Sequence, residues 1–187
     1  MEVYVIRHTK VAVKKGICYG QSEVPLADTF LEEVNIFQQV LPPEFDKIYS
    51  SPLQRCVQLA NTLNLKEVIT DTRLKEMHFG TWEGKQWNTI DQKLLNRWME
   101  DFVHINPPEG ENLLMLYKRC ESFLDDLAKQ DYNKILLVTH AGFIRCVWAY
   151  FLDIPLKNSF KIPVGFQEIS IFNLAEKKEN CFIIQVK

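Results

Sequence analysis

Seven glycines are present among the 187 residues, and none falls in G-x-G-x-x-G or G-x-x-x-x-G-K-[ST]. That excludes the usual dinucleotide fingerprint and the P-loop as ways of holding phosphate. There is no H-E-x-x-H and no Asp/His cluster, so metal-assisted hydrolysis is not indicated, and neither a metal nor a cofactor is expected. Five cysteines (Cys18, Cys56, Cys120, Cys146, Cys181) are odd in number, widely spaced and never C-x-x-C. They read as free thiols in a reducing cytosol, not as disulfides or zinc ligands. Neither sign of charge dominates: 22 Lys and Arg stand against 24 Asp and Glu, a net −2. No global field for nucleic acid or an anionic membrane results, although a local cationic pocket needs few residues. Long apolar runs are missing too. The most apolar stretch, Ile135–Leu152, is interrupted by His140 and Arg145, short of the ~18 apolar residues of a membrane span. Met1–Ile6 has no basic flank and is too short for a signal peptide. The expectation is a cytoplasmic protein, monomer or homodimer, with a small-molecule substrate.

Hydrophobic residues make up 47% and charged residues 25%, ordinary for a folded soluble chain. The length fits one domain over 1–187, with a lid or insertion around 82–110. Val3–Ile6, Asp46–Ser50, Val68–Thr70 and Lys134–Val138 read as short buried strands. Leu113–Ala128 reads as an amphipathic helix, with Leu113, Tyr117, Cys120, Leu124 and Leu127 on one face, and a further helix is expected from His140 to about Leu152. A helix is also expected from Ser51, with Ser51 as N-cap, Pro52 in first position and Gln54 completing a capping box. Gly84 to about Phe102 is a mixed helical stretch. The tail holds two strands, Glu168–Asn173 and Phe182–Val186, as an edge hairpin. Strands alternating with helices indicate a three-layer α/β/α sandwich with a largely parallel sheet.

Ligands of such sheets bind beyond the carboxyl ends of the strands. Three strands end in polar residues there: Arg7-His8, Ser50-Ser51 leading to Arg55, and Thr139-His140. Arg55 is the pointed one. A cation in a first helical turn opposes the helix dipole, at a cost of roughly 0.3–1 kcal/mol, unless an anion sits there. Two Arg and two His on one sheet edge suit a phosphate dianion. With no metal motif, phosphoryl transfer then needs a protein nucleophile, and histidine can serve.

Val5-Ile6-Arg7-His8, Ser50-Ser51-Pro52-Leu53-Gln54-Arg55, Leu74 to Gly84, Pro108-Glu109-Gly110-Glu111 and Val138-Thr139-His140-Ala141-Gly142 resemble the histidine phosphatase (phosphoglycerate mutase-like) superfamily, in its motif order and over nearly the whole chain. The segment Gly16–Leu26 resembles the α-ribazole-5′-phosphate phosphatases of cobalamin assembly within it. The resemblance implies a phosphomonoesterase with His8 as nucleophile, Glu76 as general acid and then base, and Arg7, Arg55 and His140 holding phosphate. Gln21, Ser22, His78 and Trp82 are candidate substrate contacts, and Glu83 reads as a solvated neighbour of Glu76. One departure stands out. The usual R-H-G-E-[ST]-x-x-N becomes Arg7-His8-Thr9-Lys10-Val11-Ala12-Val13-Lys14, so Val11 and Lys14 replace a hydroxyl and an Asn that help bind phosphate. Gln21, Ser22 or a lysine is expected to stand in. The alternatives are a phosphoglycerate mutase, a broad sugar-phosphate phosphatase, or a phosphate-binding module without turnover.

Overall fold

A computed structural model describes residues 1–186. Six strands form one sheet: β1 (Glu2–Arg7), β2 (Lys47–Ser50), β3 (Val68–Thr70), β4 (Lys134–Thr139), β5 (Ile169–Asn173) and β6 (Phe182–Val186). Their order is β3-β2-β4-β1-β5-β6. The first four run parallel, and β5 and β6 form the expected antiparallel edge hairpin. Five α-helices accompany them: α1 (Phe30–Val40), α2 (Gln54–Leu63), α3 (Gln92–Glu100), α4 (Leu113–Ala128) and α5 (Ala141–Leu152).

The central strands are apolar throughout because both faces are covered. Tyr4, Ile6, Ile48, Leu136 and Val138 pack under α1 and α2, with Val34, Phe37, Cys56, Leu59 and Leu63. The alternate residues Val3, Val5, Ile135 and Leu137 pack against α4 and α5, with Leu116, Cys120, Leu124, Phe143 and Val147. These are the three expected layers. Among the described residues no helix is long and apolar enough to cross a membrane.

Two local readings need correction. The helix expected from Ser51 begins at Gln54, with Leu53 extended at its N-cap. The Ser51 N–H still donates to the Val138 carbonyl at 2.9 Å, and its Oγ accepts the N–H of Leu53 at 3.3 Å, one residue ahead of the helix end. That end is capped from elsewhere: the Glu23 carboxylate accepts the Gln54 N–H at 3.1 Å. The stretch 84–102 is helical only over α3 and a short 3-10 turn at Trp87–Thr89. Helix α1 has no counterpart in the sequence reading.

Candidate active site

Register brings the site together. Strands β1 and β4 are neighbours, and Arg7 lies opposite Thr139. The next residues, His8 and His140, therefore emerge side by side, their ring centroids 5.1 Å apart. On the other side of β4, Ser50 pairs with Val138. Ser51 follows, and its Oγ lies 2.8 Å from His140 Nε2.

His8 is 1% exposed. Its Nδ1 lies 2.7 Å from the Thr9 carbonyl. A carbonyl only accepts, so Nδ1 carries the proton and Nε2 keeps its lone pair. Burial, and then the charges of Arg55 and Arg7, push the His8 pKa down to about 3, against a smaller upward pull from the Thr9 carbonyl. Burial is the larger cause, ahead of the arginines. His140, fully buried, is likewise held well below its ordinary value, first by burial and then by His8 and Arg55. Both rings are neutral at pH 7.

The unfolded chain protonates His8 near 6.5, the folded one only near 3, so acidification through that interval favours unfolding. Above 6.5 the residue makes no difference. In urea titrations from pH 7 to 5, His8→Ala is expected to lose stability less steeply than wild type, by up to about 1.4 kcal/mol per pH unit. Equal slopes refute a neutral buried His8.

Arg55 occupies the second position of α2 and is fully buried. Its Nη1 and Nη2 donate to the Ser22 and Gly20 carbonyls at 2.9 and 2.6 Å. The loop of residues 16–25 thus answers part of the charge, through two carbonyls and the Glu23 cap. Arg7 Nη1 donates to the Val164 carbonyl at 3.1 Å, and its guanidinium carbon lies 3.9 Å from the centre of the Phe166 ring. Arg7 Nε, Arg55 Nε and the Thr9 hydroxyl are buried without hydrogen-bond partners. Of the lysines near this segment, Lys10, Lys14 and Lys15 are all exposed. Thr9 is the nearest hydroxyl in sequence to the nucleophile position.

Glu76 arrives from an irregular segment. Its Oε1 accepts its neighbour's Met77 N–H at 2.8 Å, and the carboxylate accepts the Gly142 N–H at 3.1 and 3.2 Å. It therefore sits at the N-terminus of α5, whose N-cap is His140. A Cβ on Gly142 would collide with Glu76 Oε1, so this approach requires glycine.

The substrate-contact candidates fare differently. Gln21 Nε2 donates to the Glu76 carbonyl at 2.8 Å, and Ser22 Oγ donates to Glu83 Oε2 at 2.5 Å. Each thus spends one side-chain hydrogen bond on positioning the site's loop. Glu83 is a correction: its side chain is only 12% exposed, and its Oε1 also accepts the Gln21 and Phe79 N–H groups at 3.0 Å. His78 is partly exposed, with Nε2 3.9 Å from Glu83. Trp82 is a correction as well. It is 3% exposed and packs edge-on against Trp98 and Trp87, because Trp82, Ile90, Leu95 and Trp98 join the main core.

Aromatic surface near the chemistry comes from other residues. Phe166 lies 6.0 Å from the His8 ring. It sits in an irregular segment before β5 that carries no sequence signal, and the following Gln167 holds a left-handed φ of +67°. A shallow cleft of about 130 Å³ is lined by Ile17, Cys18, Tyr19, Phe79 and Trp87, together with Gly20 and Glu76.

Two histidines and two arginines at parallel strand ends, with a carboxylate at the adjoining helix N-terminus, define a phosphate-handling class of site. Residues 3–185 match the histidine phosphatase superfamily (branch 1), and the chain belongs to that family. It is a phosphatase. It is 25% identical over 188 residues to phosphoserine phosphatase 1 of Hydrogenobacter thermophilus, covering 95% of this chain and 89% of that protein. To the adenosylcobalamin/alpha-ribazole phosphatase of Escherichia coli it is 27% identical over 169 residues, covering 83% and 81%. The alpha-ribazole phosphatase structure from Shigella flexneri superposes with a TM-score of 0.89 at 24% identity, over 98% of this chain and 95% of that one.

Proposed function

We propose that the protein is a metal-independent phosphomonoesterase that carries the phosphoryl group on His8, and that its substrate is α-ribazole 5′-phosphate. The observation that carries the mechanism is the His8 ring: buried, neutral, tethered at Nδ1 to the Thr9 carbonyl, and flanked by Arg7 and Arg55, each with a buried unpartnered Nε. Phosphate oxygens would give those donors acceptors, and buried donors left unmatched are costly.

In the first half-reaction Nε2 attacks phosphorus and the ester P–O bond breaks. Glu76, as the acid, protonates the leaving alkoxide. In the second, the Glu76 carboxylate takes a proton from water, whose oxygen attacks phosphorus. The P–N bond breaks, phosphate leaves and both side chains are restored. Arg7, Arg55 and His140 hold the oxygens throughout, so positioning and charge supply most of the rate.

The leaving group is read from the cleft beside Glu76. Its walls are Ile17, Cys18, Tyr19, Phe79 and Trp87, which suits a flat apolar ring such as dimethylbenzimidazole. Burying roughly 100 Å² of apolar surface at about 25 cal/mol per Å² is worth about 2.5 kcal/mol, nearly two orders of magnitude in affinity. In a substrate panel, kcat/KM for α-ribazole 5′-phosphate is expected to exceed that for ribose 5-phosphate, 3-phosphoglycerate and O-phosphoserine by tenfold or more, with mutase activity negligible and EDTA without effect. The phosphoserine phosphatase relative makes O-phosphoserine the decisive competitor. A preference for it moves the leaving-group assignment to an amino acid, and equal turnover of ribose 5-phosphate means that the base is not read. Activity lost in EDTA and restored by a divalent cation overturns the metal-independent mechanism.

A further inference from the structure

His8 and His140 are placed by neighbouring strands in register, but Glu76 is not. Residues 75–79 form neither helix nor strand; they lie between 3-10 turns at Thr72–Leu74 and Gly80–Trp82. No backbone ladder fixes where the carboxylate falls. Something else must, because a misplacement of about 1 Å can cost on the order of 100-fold in rate.

Arg119, in the second turn of α4, reaches this segment with a side chain only 17% exposed. Its guanidinium offers five N–H bonds and makes five contacts. Nη1 donates to the Arg73 and Lys75 carbonyls at 2.5 and 2.6 Å. Nη2 donates to the Glu76 carbonyl at 2.9 Å and to Glu111 Oε1 at 2.5 Å. Nε donates to Glu111 Oε2 at 3.2 Å. Glu111, 13% exposed, continues the grip beyond Met77: its Oε1 accepts the His78 N–H at 3.0 Å, and its own N–H donates to the His78 carbonyl at 2.9 Å. Residues 73, 75, 76 and 78 are therefore held by one ion pair, on both sides of Met77, which is itself 2% exposed.

We infer that Arg119 and Glu111 are positioning residues for Glu76: a buried ion pair that takes the place of secondary structure and sets the carboxylate against the N-terminus of α5. This rests on the acid–base role proposed above for Glu76. The planar fork is the essential part. A lysine at 119 keeps the charge but offers three donors from one nitrogen, too few and too concentrated for five acceptors spread over three carbonyls and a carboxylate. A buried pair is not by itself a sign of stability. Its use here lies in the geometry it imposes.

The test is a double-mutant cycle read in the rate of phosphoenzyme formation by rapid quench. Arg119→Lys is made in wild type and in Glu76→Gln, and each protein is assayed with an alkyl ester (ribose 5-phosphate) and an aryl ester (4-nitrophenyl phosphate). Competitive inhibition by inorganic phosphate is measured alongside. Arg119→Lys alone is expected to slow the alkyl ester 10- to 100-fold and the aryl ester several-fold less, with phosphate inhibition within about threefold of wild type. In the Glu76→Gln background it is expected to add less than twofold, because what it positions is already gone. A full repeat of its loss in that background overturns the inference. So does an equal loss on both esters with weakened phosphate inhibition, which is general loosening of the site. Glu111→Gln, nearly isosteric, is expected to follow the same pattern and decides the matter if Arg119→Lys does not fold. The Glu76→Gln protein alone checks the underlying role: equal slowing of both esters there removes Glu76 as the acid, and the positioning assignment with it.

Discussion

His8→Ala is expected to reduce turnover by on the order of 10⁴- to 10⁶-fold, the scale of losing a covalent nucleophile. The expectation follows from the ring's surroundings. Only Nε2 keeps a lone pair, since Nδ1 is committed to the Thr9 carbonyl. The neighbouring His140 has its own Nε2 against Ser51 Oγ and is not free to take over the attack. Brief incubation of wild type with substrate, followed by rapid quenching, is expected to leave an acid-labile, base-stable phosphoprotein that His8→Ala does not form. The substitution removes a buried ring in contact with Phe166 and His140, so the urea midpoint at pH 7.5 and the circular dichroism spectrum are measured first. A folded His8→Ala protein that keeps more than a few per cent of wild-type turnover disproves the covalent mechanism.

Glu76→Gln is expected to be the second largest loss, and an uneven one. General acid catalysis is worth typically 10²- to 10⁴-fold. An alkoxide leaving from ribose needs the proton; a nitrophenolate does not. Phosphoenzyme formation is expected to slow by about 10²- to 10⁴-fold with the alkyl ester and far less with the aryl ester. The steady state reads differently. Glutamine cannot deprotonate water either, so hydrolysis of the phosphoenzyme slows for both substrates, and kcat for the aryl ester falls with it. A burst of nitrophenolate followed by a slow phase is the expected signature. Glutamine fits the local geometry, because its carbonyl oxygen can still accept from the Met77 and Gly142 N–H groups that now bind Glu76 Oε1. An equal loss of phosphorylation rate on both esters removes Glu76 from the acid role.

The site's most specific feature is the way two kinds of support meet in it. His8 and His140 stand at the ends of neighbouring strands, and Arg55 in the first turn of a helix that follows a third. Their arrangement is a property of the sheet. Glu76 is held by Arg119 and Glu111 on one side and Gln21 on another, all through side chains, with the backbone N–H of Gly142 in front. Glu83 ties the loop of Gln21 and Ser22 to the Phe79 N–H, so the cleft walls and the carboxylate share one network. The substrate panel and the Arg119 cycle therefore probe connected parts of one structure by different readouts.

The strand and helix signals nearest the chemistry are legible in the sequence because they depend on local chemistry. The apolar runs of β1 and β4 announce burial on both faces. The 3.6-residue spacing of Leu113, Cys120, Leu124 and Leu127 announces α4, whose bounds, Leu113–Ala128, came out as expected. The polar residues just after each strand marked the active edge without any contact being known. What depends on distant residues meeting was not legible in this way. Nothing around Arg119 shows that its guanidinium closes on carbonyls 43 to 46 positions away. Nothing around Phe166 places it over Arg7, 159 residues earlier in the chain, and Trp82, although a packing residue is the commoner reading, stands as a candidate ligand face until the Trp87 and Trp98 rings fill the space beside it. Ser51 carries a capping motif, but its N–H pairs with β4 and its hydroxyl lies between the Leu53 N–H and His140 Nε2, so the helix begins only at Gln54. The order of strands, the register that sets Arg7 opposite Thr139, and the burial that makes His8 neutral belong to tertiary structure alone, since each is a relation between segments far apart in sequence.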